Sequence, residues 1–395
     1  MQNTQTKPSS AVWLMISVVL VALNLRPSMA AVGPLLASIR ADVPLGFSSA
    51  ALLTLLPVMT MGLAMFVGMG VVRRVGEHRS VIASLLLIGL ATLSRLVLDS
   101  ALELIVSAMA AGIGIALIQA LMPVLIKSQF SANVSLFMGL YVTAIMGGAA
   151  LAASLSPFVQ LHTGSWRAGL AVWAVLALLA VLAWCTPRAT LPALPQAGAD
   201  TQRGFFGNAR AWLLALFFGL GTASYTCVLA WLAPYYVEQG WSEQHAGLLL
   251  GWLTAMEVVS GLITPAIANR RNDNRGVVAV LLVLILLGFC GLTLTPQHLS
   301  LLWPCLLGLG IGGLFPMSLI LAMDHLDHPR RAGSLTAFVQ GIGYLIAGVS
   351  PLLAGMIRER SGSFTGAWWS LTAVVVVMLL IVTRFNPRHY ARHIR

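Results

Sequence analysis

The sequence has 395 residues, of which 58% are hydrophobic and only 9% are charged, and its formal net charge is +11. Soluble domains carry about 25% charged residues, so this composition excludes an ordinary water-soluble fold. Apolar runs of about 20 residues can cross a bilayer as helices, and in lipid only helices and closed barrels satisfy their own backbone groups. Because the runs here are continuous rather than alternating, we predict an all-α membrane protein.

Apolar runs between polar breaks predict twelve transmembrane spans, numbered here in chain order. The first run begins like a signal peptide, but Asn24, Arg26 and Pro27 stand where a cleavage region would lie. We therefore expect it to be retained as span 1. The predicted spans are 11–39, 47–72, 80–98, 102–127, 134–160, 166–186, 209–237, 244–269, 276–294, 299–323, 332–357 and 364–384.

The basic residues fall mainly on one side of these spans. With the N-terminus in the cytoplasm, 17 of the 23 Lys and Arg residues lie in cytoplasmic loops or tails, as the positive-inside rule requires. The net charge then reflects topology and contact with the anionic headgroups of the lipid bilayer, and we expect no nucleic-acid partner. We predict a multi-pass protein of the inner membrane with both termini in the cytoplasm.

The two halves of the chain resemble each other in their glycine and Ser-Pro positions. In spans 4 and 10, Gly112 and Gly114 match Gly308 and Gly310. In spans 5 and 11, one constant offset relates three further pairs: Gly139 to Gly333, Gly147 to Gly341 and Ser156-Pro157 to Ser350-Pro351. We predict an N-terminal six-helix bundle at 1–187, a cytoplasmic linker at 188–208 and a C-terminal six-helix bundle at 209–395. Such parallel duplication is the organisation of major facilitator transporters.

Short motifs in spans 1, 4, 5, 10 and 11 match one family pattern: LNLRP at 23–27, VGPLL at 32–36, QALMP at 119–123 with Ile126-Lys127, MGG at 146–148, LAMDH at 321–325 and AFVQGIG at 337–343. On these motifs, the chain from about residue 15 to residue 387 resembles the cyanate permease branch of the major facilitator superfamily. The resemblance implies two pseudo-symmetric six-helix bundles that move a small compound, cyanate or a nitroimidazole-type molecule among them. Two positions differ from the pattern: Arg73 replaces an acidic residue, and Glu257 replaces Gln.

Arg26 lies near the middle of span 1, with Ala22, Ala30 and Gly33 on the same helical face. Charged residues at this depth are expensive to bury and are commonly functional. The functional interpretation is a substrate-binding group, because a guanidinium offers five fixed donors to a small anion. The alternative is a structural ion pair or a cap on backbone carbonyls near Pro27.

Glu257, in span 8, is the carboxylate placed deepest within a predicted span. It is a candidate for substrate binding or proton coupling, and the alternative is an ion pair with Arg26. Importing one monovalent anion against an inside-negative potential costs about 2.3 kcal/mol per 100 mV, and one accompanying proton removes that cost. A second proton-coupling candidate is His325, beside Asp324 at the end of span 10, for which the alternative is an interfacial cap and gate contact.

Polar side chains form a stripe on span 11, with Thr336, Gln340 and Tyr344 at four-residue intervals. Four-residue spacing places them on one face, and we predict that this face lines the substrate cavity. The alternative for each is hydrogen bonding or packing between helices. The remaining predicted substrate-binding residues are Gln119, Tyr141, Tyr225 and Trp252.

The sequence contains no motif of a hydrolase, a metalloprotease or a nucleotide-binding loop. We therefore expect no enzymatic activity, no cofactor and no metal. We predict a monomeric secondary active transporter that moves a small solute, favouring a small anion such as cyanate, with protons as a candidate coupling ion. The alternative is efflux or exchange of a neutral or zwitterionic molecule, such as a nitroimidazole-like xenobiotic.

Overall fold

The structure is a computed structural model that describes residues 8–129, 134–186, 205–268, 273–326 and 329–387. All regular structure within these ranges is α-helical. The helices are α1 (Pro8–Leu23), α2 (Pro27–Ala30), α3 (Leu36–Asp42), α4 (Phe47–Val75), α5 (Glu77–Ser94), α6 (Ala101–Gln129), α7 (Val134–Thr163), α8 (Trp166–Ala171), α9 (Ala174–Cys185), α10 (Ala209–Glu238), α11 (Glu243–Ala268), α12 (Arg275–Leu294), α13 (Leu302–Met323), α14 (Pro329–Ser361) and α15 (Thr365–Val382).

The helices follow the predicted spans closely. Eleven stretches of the described residues are long and apolar enough to cross a membrane. The predicted span that falls short by this measure is span 3, observed as α5, which begins with the polar residues Glu77, His78 and Arg79. It is still an 18-residue helix, about 27 Å long, and it packs against α6 and α9. The architecture is therefore consistent with twelve spans.

The prediction of span 1 as one helix over 11–39 was wrong, because the structure breaks this span into α1, α2 and α3. Pro27 and Pro34 lie at the two irregular segments, and proline removes a backbone N–H and crowds the preceding turn. Span 6 is also interrupted, between α8 and α9. The first of these breaks places Arg26 on irregular backbone rather than on a helix.

The sequence repeat corresponds to a repeat in packing. In the first half α4 packs on α6, α5 on α9 and α1 on α7; in the second half α11 packs on α13, α12 on α15 and α10 on α14. The matched glycines make matched contacts. Gly112 faces α4 and Gly114 faces α5, while Gly308 faces α11 and Gly310 faces α12. The fold therefore consists of two pseudo-symmetric bundles.

The two bundles meet along two helix pairs, α4 with α14 and α7 with α11. On α14 the contact uses a glycine stripe, defined here as Gly341, Gly348 and Gly355. These glycines face Phe66, then Leu55 and Met59, then Phe47, all on α4. With no side chains in the stripe, the two helices approach closely along most of their length.

The outer faces of the bundles are apolar. Large aliphatic side chains such as Leu90, Val280 and Leu380 are exposed on the helices. In a soluble protein such surfaces would promote association, whereas here they suit contact with lipid chains. The predicted linker lies outside the described residues except for its last four positions, so the boundaries at 187 and 208 stay predictions.

Candidate substrate site

The break in the first span determines how Arg26 is presented. Pro27 has no N–H, so the Leu23 carbonyl lacks its helical partner. The chain then forms a tighter turn, in which the Asn24 N–H donates to the Val21 carbonyl at 3.1 Å. Arg26 directly precedes α2, with backbone φ −125° and ψ −23°. Its side chain therefore leaves from a non-helical backbone.

Two contacts hold the end of α1 in place. The Asn24 side-chain amide donates to the carbonyl of Leu20 at 2.7 Å and to that of Leu176, on α9, at 3.3 Å. On the other side, Gly148 of α7 lies so close to Leu23 that a methyl group there would overlap the free carbonyl oxygen. The break is thus clamped between α7 and α9.

The Arg26 side chain is buried beside an aromatic ring. Its residue is 3% exposed, and its Nε has no hydrogen-bond partner among the described residues. Its Cζ lies 5.1 Å from the ring centroid of Tyr225, which is within cation-π distance. Neither structural alternative, a cap on the carbonyls near Pro27 or an ion pair with Glu257, is formed within the described parts of the chain.

Four side chains from other helices share the electrostatic environment of Arg26. They are Tyr141 on α7, Tyr225 on α10, Glu257 on α11 and Tyr344 on α14, and with Arg26 they form what we call the polar cluster. All five are buried. The hydroxyls of Tyr141 and Tyr225 and both carboxylate oxygens of Glu257 have no hydrogen-bond partner among the described residues. Because buried polar groups are normally paired, this convergence makes the polar cluster the candidate ligand site.

Glycines on α13 fix the position of Glu257. The backbone of Gly312 lies against the Cα and carbonyl of Glu257, and Gly308 lies one turn away against the Leu253 carbonyl. A side chain at either glycine would push α11 away from α13. This glycine-rich run therefore serves close contact between α13 and α11.

The glutamines of the predicted site lie on helices that adjoin the cluster. Gln119 is half-buried on α6, which contacts α2, and its Oε1 has no partner among the described residues. Gln340 is half-buried on α14, one turn before Tyr344 on the same face. Thr336 lies one turn before Gln340. Its hydroxyl donates a hydrogen bond to the Ala332 carbonyl of the same helix at 2.8 Å, so it does not donate to the cluster.

The structure does not bring Trp252 to the cluster, which corrects that part of the predicted site. Trp252 is 41% exposed, and its indole N–H donates to the Leu301 carbonyl at 3.2 Å. It lies five residues before Glu257, and at 3.6 residues per turn this separates the two side chains by about 140° around α11. When Glu257 faces inward, Trp252 must face outward.

His325 lies at the end of α13, in a separate group of contacts. Arg210 donates from Nε to His325 Nε2 at 3.0 Å and from Nη2 to the Arg384 carbonyl at 2.9 Å. Because the guanidinium can only donate, His325 Nε2 accepts, and its Nδ1–H donates to the Leu321 carbonyl at 2.6 Å. This neutral tautomer ties α13 to α10 and to the segment after α15. The geometry favours the cap interpretation over a proton relay.

Two carboxylates of the second bundle join the bundles at one end. Glu243 accepts hydrogen bonds from the Ser38 N–H at 3.0 Å and from its hydroxyl at 2.8 Å. Glu359 accepts from the Ser48 N–H at 3.0 Å and from its hydroxyl at 2.5 Å. Each carboxylate therefore caps the first turn of a helix in the opposite bundle, where the helix dipole favours negative charge. We call these two contacts the latches.

Aromatic side chains also pack between the two bundles at this end. The Phe47 ring lies under the Arg40 guanidinium at 3.9 Å and the Arg358 guanidinium at 4.7 Å. It also meets Trp231 and Phe364 of the second bundle, with ring centroids 5.8 and 5.6 Å apart. These contacts and the latches hold the two bundles together at this end.

Sequence reasoning missed the latches and Arg95. Arg95 is 2% exposed and donates to the Ser28 carbonyl, next to the helix break, at 2.8 Å. The rarity of charge near a span, the signal that identified Arg26, also applied to Arg95. No comparable signal marked Glu243 or Glu359, because their serine partners lie about 200 and 300 residues away in the chain.

An all-helical membrane fold of two matched bundles, with unpaired polar groups buried between them, defines a transporter of small solutes. The Major Facilitator Superfamily profile matches residues 14–351, and the chain belongs to this family. It is 41% identical to the cyanate transport protein CynX of Escherichia coli K12, covering 95% of this chain and 97% of that protein. It is 30% identical to the 2-nitroimidazole transporter of the same organism, covering 96% and 95%. A crystal structure of a D-xylose-proton symporter has the same fold, with a TM-score of 0.77 at 15% identity, covering 95% and 98%.

Proposed function

We propose that this protein carries a small monovalent anion such as cyanate across the inner membrane by alternating access, together with a proton. The observation that carries the proposal is the buried guanidinium of Arg26 at the helix break, whose Nε has no hydrogen-bond partner among the described residues. The similarity to a cyanate transport protein supports the choice of cyanate.

Arg26 has the chemistry that a dehydrated anion needs. A guanidinium stays protonated and offers several donors in a fixed plane, so it replaces hydration that the anion loses on leaving water. The hydroxyls of Tyr141 and Tyr225 are further donors without partners among the described residues. A small anion within the polar cluster would then satisfy groups that are otherwise buried unpaired.

Glu257 is the proposed proton carrier. Its carboxylate faces the same cluster as Arg26 and lacks a hydrogen-bond partner in the described structure. When the anion neutralises Arg26, Glu257 loses its opposing charge and is more easily protonated. Anion and proton therefore bind together more readily than either binds alone, and the loaded transporter moves no net charge against the membrane potential.

The positive-inside orientation, with cytoplasmic termini, would place the latches on the outer side of the membrane. The latched conformation would then hide the cluster from the outside, and substrate would exchange with the cytoplasm. Because the cluster takes members from both bundles of the same chain, we propose a monomer as the transporting unit.

A neutral or zwitterionic substrate is the second candidate. Arg26 is a donor and the ionised form of Glu257 is an acceptor, and the two share one cluster without an ion pair between them in the described structure, so a molecule with an acceptor at one end and a donor at the other could bridge them. The similarity to a 2-nitroimidazole transporter favours this class over sugars or peptides.

Uptake of labelled cyanate into proteoliposomes with an inside-alkaline pH gradient tests the proposal. Wild-type protein should accumulate cyanate, and Arg26→Gln should abolish both binding and uptake. Arg167→Gln is the matched control, because Arg167 lies in the same bundle but pairs with Asp42 and Asp99 outside the cluster; it should transport normally. Cyanate uptake by folded Arg26→Gln at the wild-type rate would disprove the anion role.

Glu257→Gln separates coupling from binding. This variant keeps the shape of the side chain but cannot release a proton, so it should retain cyanate counterflow and lose accumulation driven by the pH gradient. Glu103→Gln, which alters a carboxylate outside the cluster, should behave as wild type. If Glu257→Gln still accumulates cyanate in response to the gradient, Glu257 is not the proton carrier.

A further inference from the structure

Arg95 is a second buried arginine, directly after α5. It is 2% exposed and reaches two other helices. Its Nη1 donates to the Ser28 carbonyl of α2 at 2.8 Å, and its Nε donates to the Ser107 hydroxyl of α6 at 3.1 Å. The Ser107 hydroxyl in turn donates a hydrogen bond to the Leu104 carbonyl at 2.7 Å. Arg95 thus joins α5, α6 and the segment that follows Arg26.

The Ser28 carbonyl needs this donor because of the helix break. In a continuous helix the Val32 N–H would bond to the Ser28 carbonyl. In this structure the Val32 N–H bonds instead to Met29, at 3.2 Å, and Ser28 loses its helical partner. A backbone carbonyl left unpaired within a membrane is unfavourable, and Arg95 satisfies it.

A neutral side chain could donate one hydrogen bond at a smaller desolvation penalty than a guanidinium. Arg95 makes no ion pair with any carboxylate of the described residues, so its charge is not cancelled locally. The positive charge instead adds to the potential of the segment that holds Arg26.

We propose that Arg95 is a positioning residue for anion binding. By holding the Ser28 carbonyl, it fixes the break in the conformation that leaves the Arg26 guanidinium available to the substrate. The effect on affinity rests on the proposed anion function, whereas the effect on the backbone does not.

Two measurements on Arg95→Gln test this role. Amide hydrogen exchange should become faster in peptides covering residues 20–33 and remain unchanged in peptides from α10. Equilibrium binding should show a cyanate Kd raised by up to about 10- to 100-fold, because one hydrogen bond from a charged group is the largest bias that Arg95 gives to the binding conformation through Ser28. The maximal rate of counterflow at saturating cyanate should change by less than about twofold, because the substitution alters cyanate binding and leaves the residues that move during transport unchanged.

Arg95→Lys and Arg167→Gln complete the design. Lysine keeps the charge but lacks the planar fork that reaches two acceptors, so it should give an intermediate Kd and serves as the test variant if Arg95→Gln does not fold. Arg167→Gln should change neither measurement. Unchanged amide hydrogen exchange at residues 20–33 in both Arg95 variants would overturn the proposal. The same conclusion would follow if Arg167→Gln accelerated exchange in these peptides as much as Arg95→Gln does. If wild-type protein fails to bind cyanate, the proposed function fails, while the exchange comparison still decides the role of Arg95.

Discussion

Breaking the latch between Ser38 and Glu243 should shift the protein toward the conformation that is open at that end. The Glu243 carboxylate accepts two hydrogen bonds, at 3.0 and 2.8 Å, from the first turn of α3. Buried bonds to a charged group are worth about 1.5–3 kcal/mol each, but Glu243 is partly exposed, and competition with water reduces each to about 0.5–1 kcal/mol. The latch is therefore worth about 1–2 kcal/mol, or a factor of about 5–30 in an equilibrium.

Spin labels at His162 and His298, exposed positions in the two bundles at the latch end, report this equilibrium as two distance populations. The native cysteines are first replaced. Glu243→Ala should raise the open-to-closed ratio by about 5- to 30-fold, because it removes both acceptors of the Ser38 hydrogen bonds. Ser38→Ala should raise the ratio less, since it removes the hydroxyl but keeps the N–H.

The double variant of Ser38 and Glu243 checks that both act through one contact. Its effect should be smaller than the sum of the single effects. Glu103→Gln is the control, because Glu103 caps its own helix through the N–H groups of Asp99 and Ser100 without linking the bundles. Additive single effects, or an equal shift in Glu103→Gln, would refute the latch.

Three further outcomes follow from the geometry. Gly148→Ala should lower thermal stability in detergent by about 1–3 kcal/mol, because its methyl group meets the Leu23 carbonyl; a variant of unchanged melting temperature would contradict the clamp at the end of α1. Trp252→Leu should leave the cyanate Kd within about twofold of wild type, because Trp252 faces outward, and a larger loss measured by equilibrium binding would return it to the site. His325→Ala should lower the melting temperature by removing the acceptor of Arg210 while leaving the pH dependence of uptake intact, and a changed pH profile would restore the proton-relay interpretation.

The sequence was most informative where the bilayer imposes a strict rule. Continuous apolar runs must become helices in lipid, which is why the order of the spans could be read directly. The matched glycines were equally informative, because only small residues permit the close contacts that Gly112 and Gly308 make with neighbouring helices. Burial cost pointed to Arg26 and Glu257, and the structure places these two in one cluster.

Features that depend on which helices are neighbours were harder to predict. The outward direction of Trp252 follows from the inward direction of Glu257, but periodicity alone did not show which of them faces the partner bundle. The latches join residues about 200 and 300 positions apart, so nothing local marks them. The helix break was readable in principle from Pro27 and Pro34, yet prolines in membrane helices often produce only a kink.

The glycine stripe of α14 has a thermodynamic consequence. Gly341, Gly348 and Gly355 recur every seven residues, and this interval keeps them on nearly the same helical face, drifting by about 20° per repeat. Since the stripe has no side chains of its own, α4 side chains such as Phe66 and Met59 pack against α14 backbone, and no pair of interlocked side chains has to separate there when one helix tilts on the other. Burial of apolar area dominates heat-capacity changes. Curvature in the temperature dependence of the open-to-closed ratio should therefore come from the Phe47 contacts with Trp231 and Phe364, which separate on opening, rather than from the stripe.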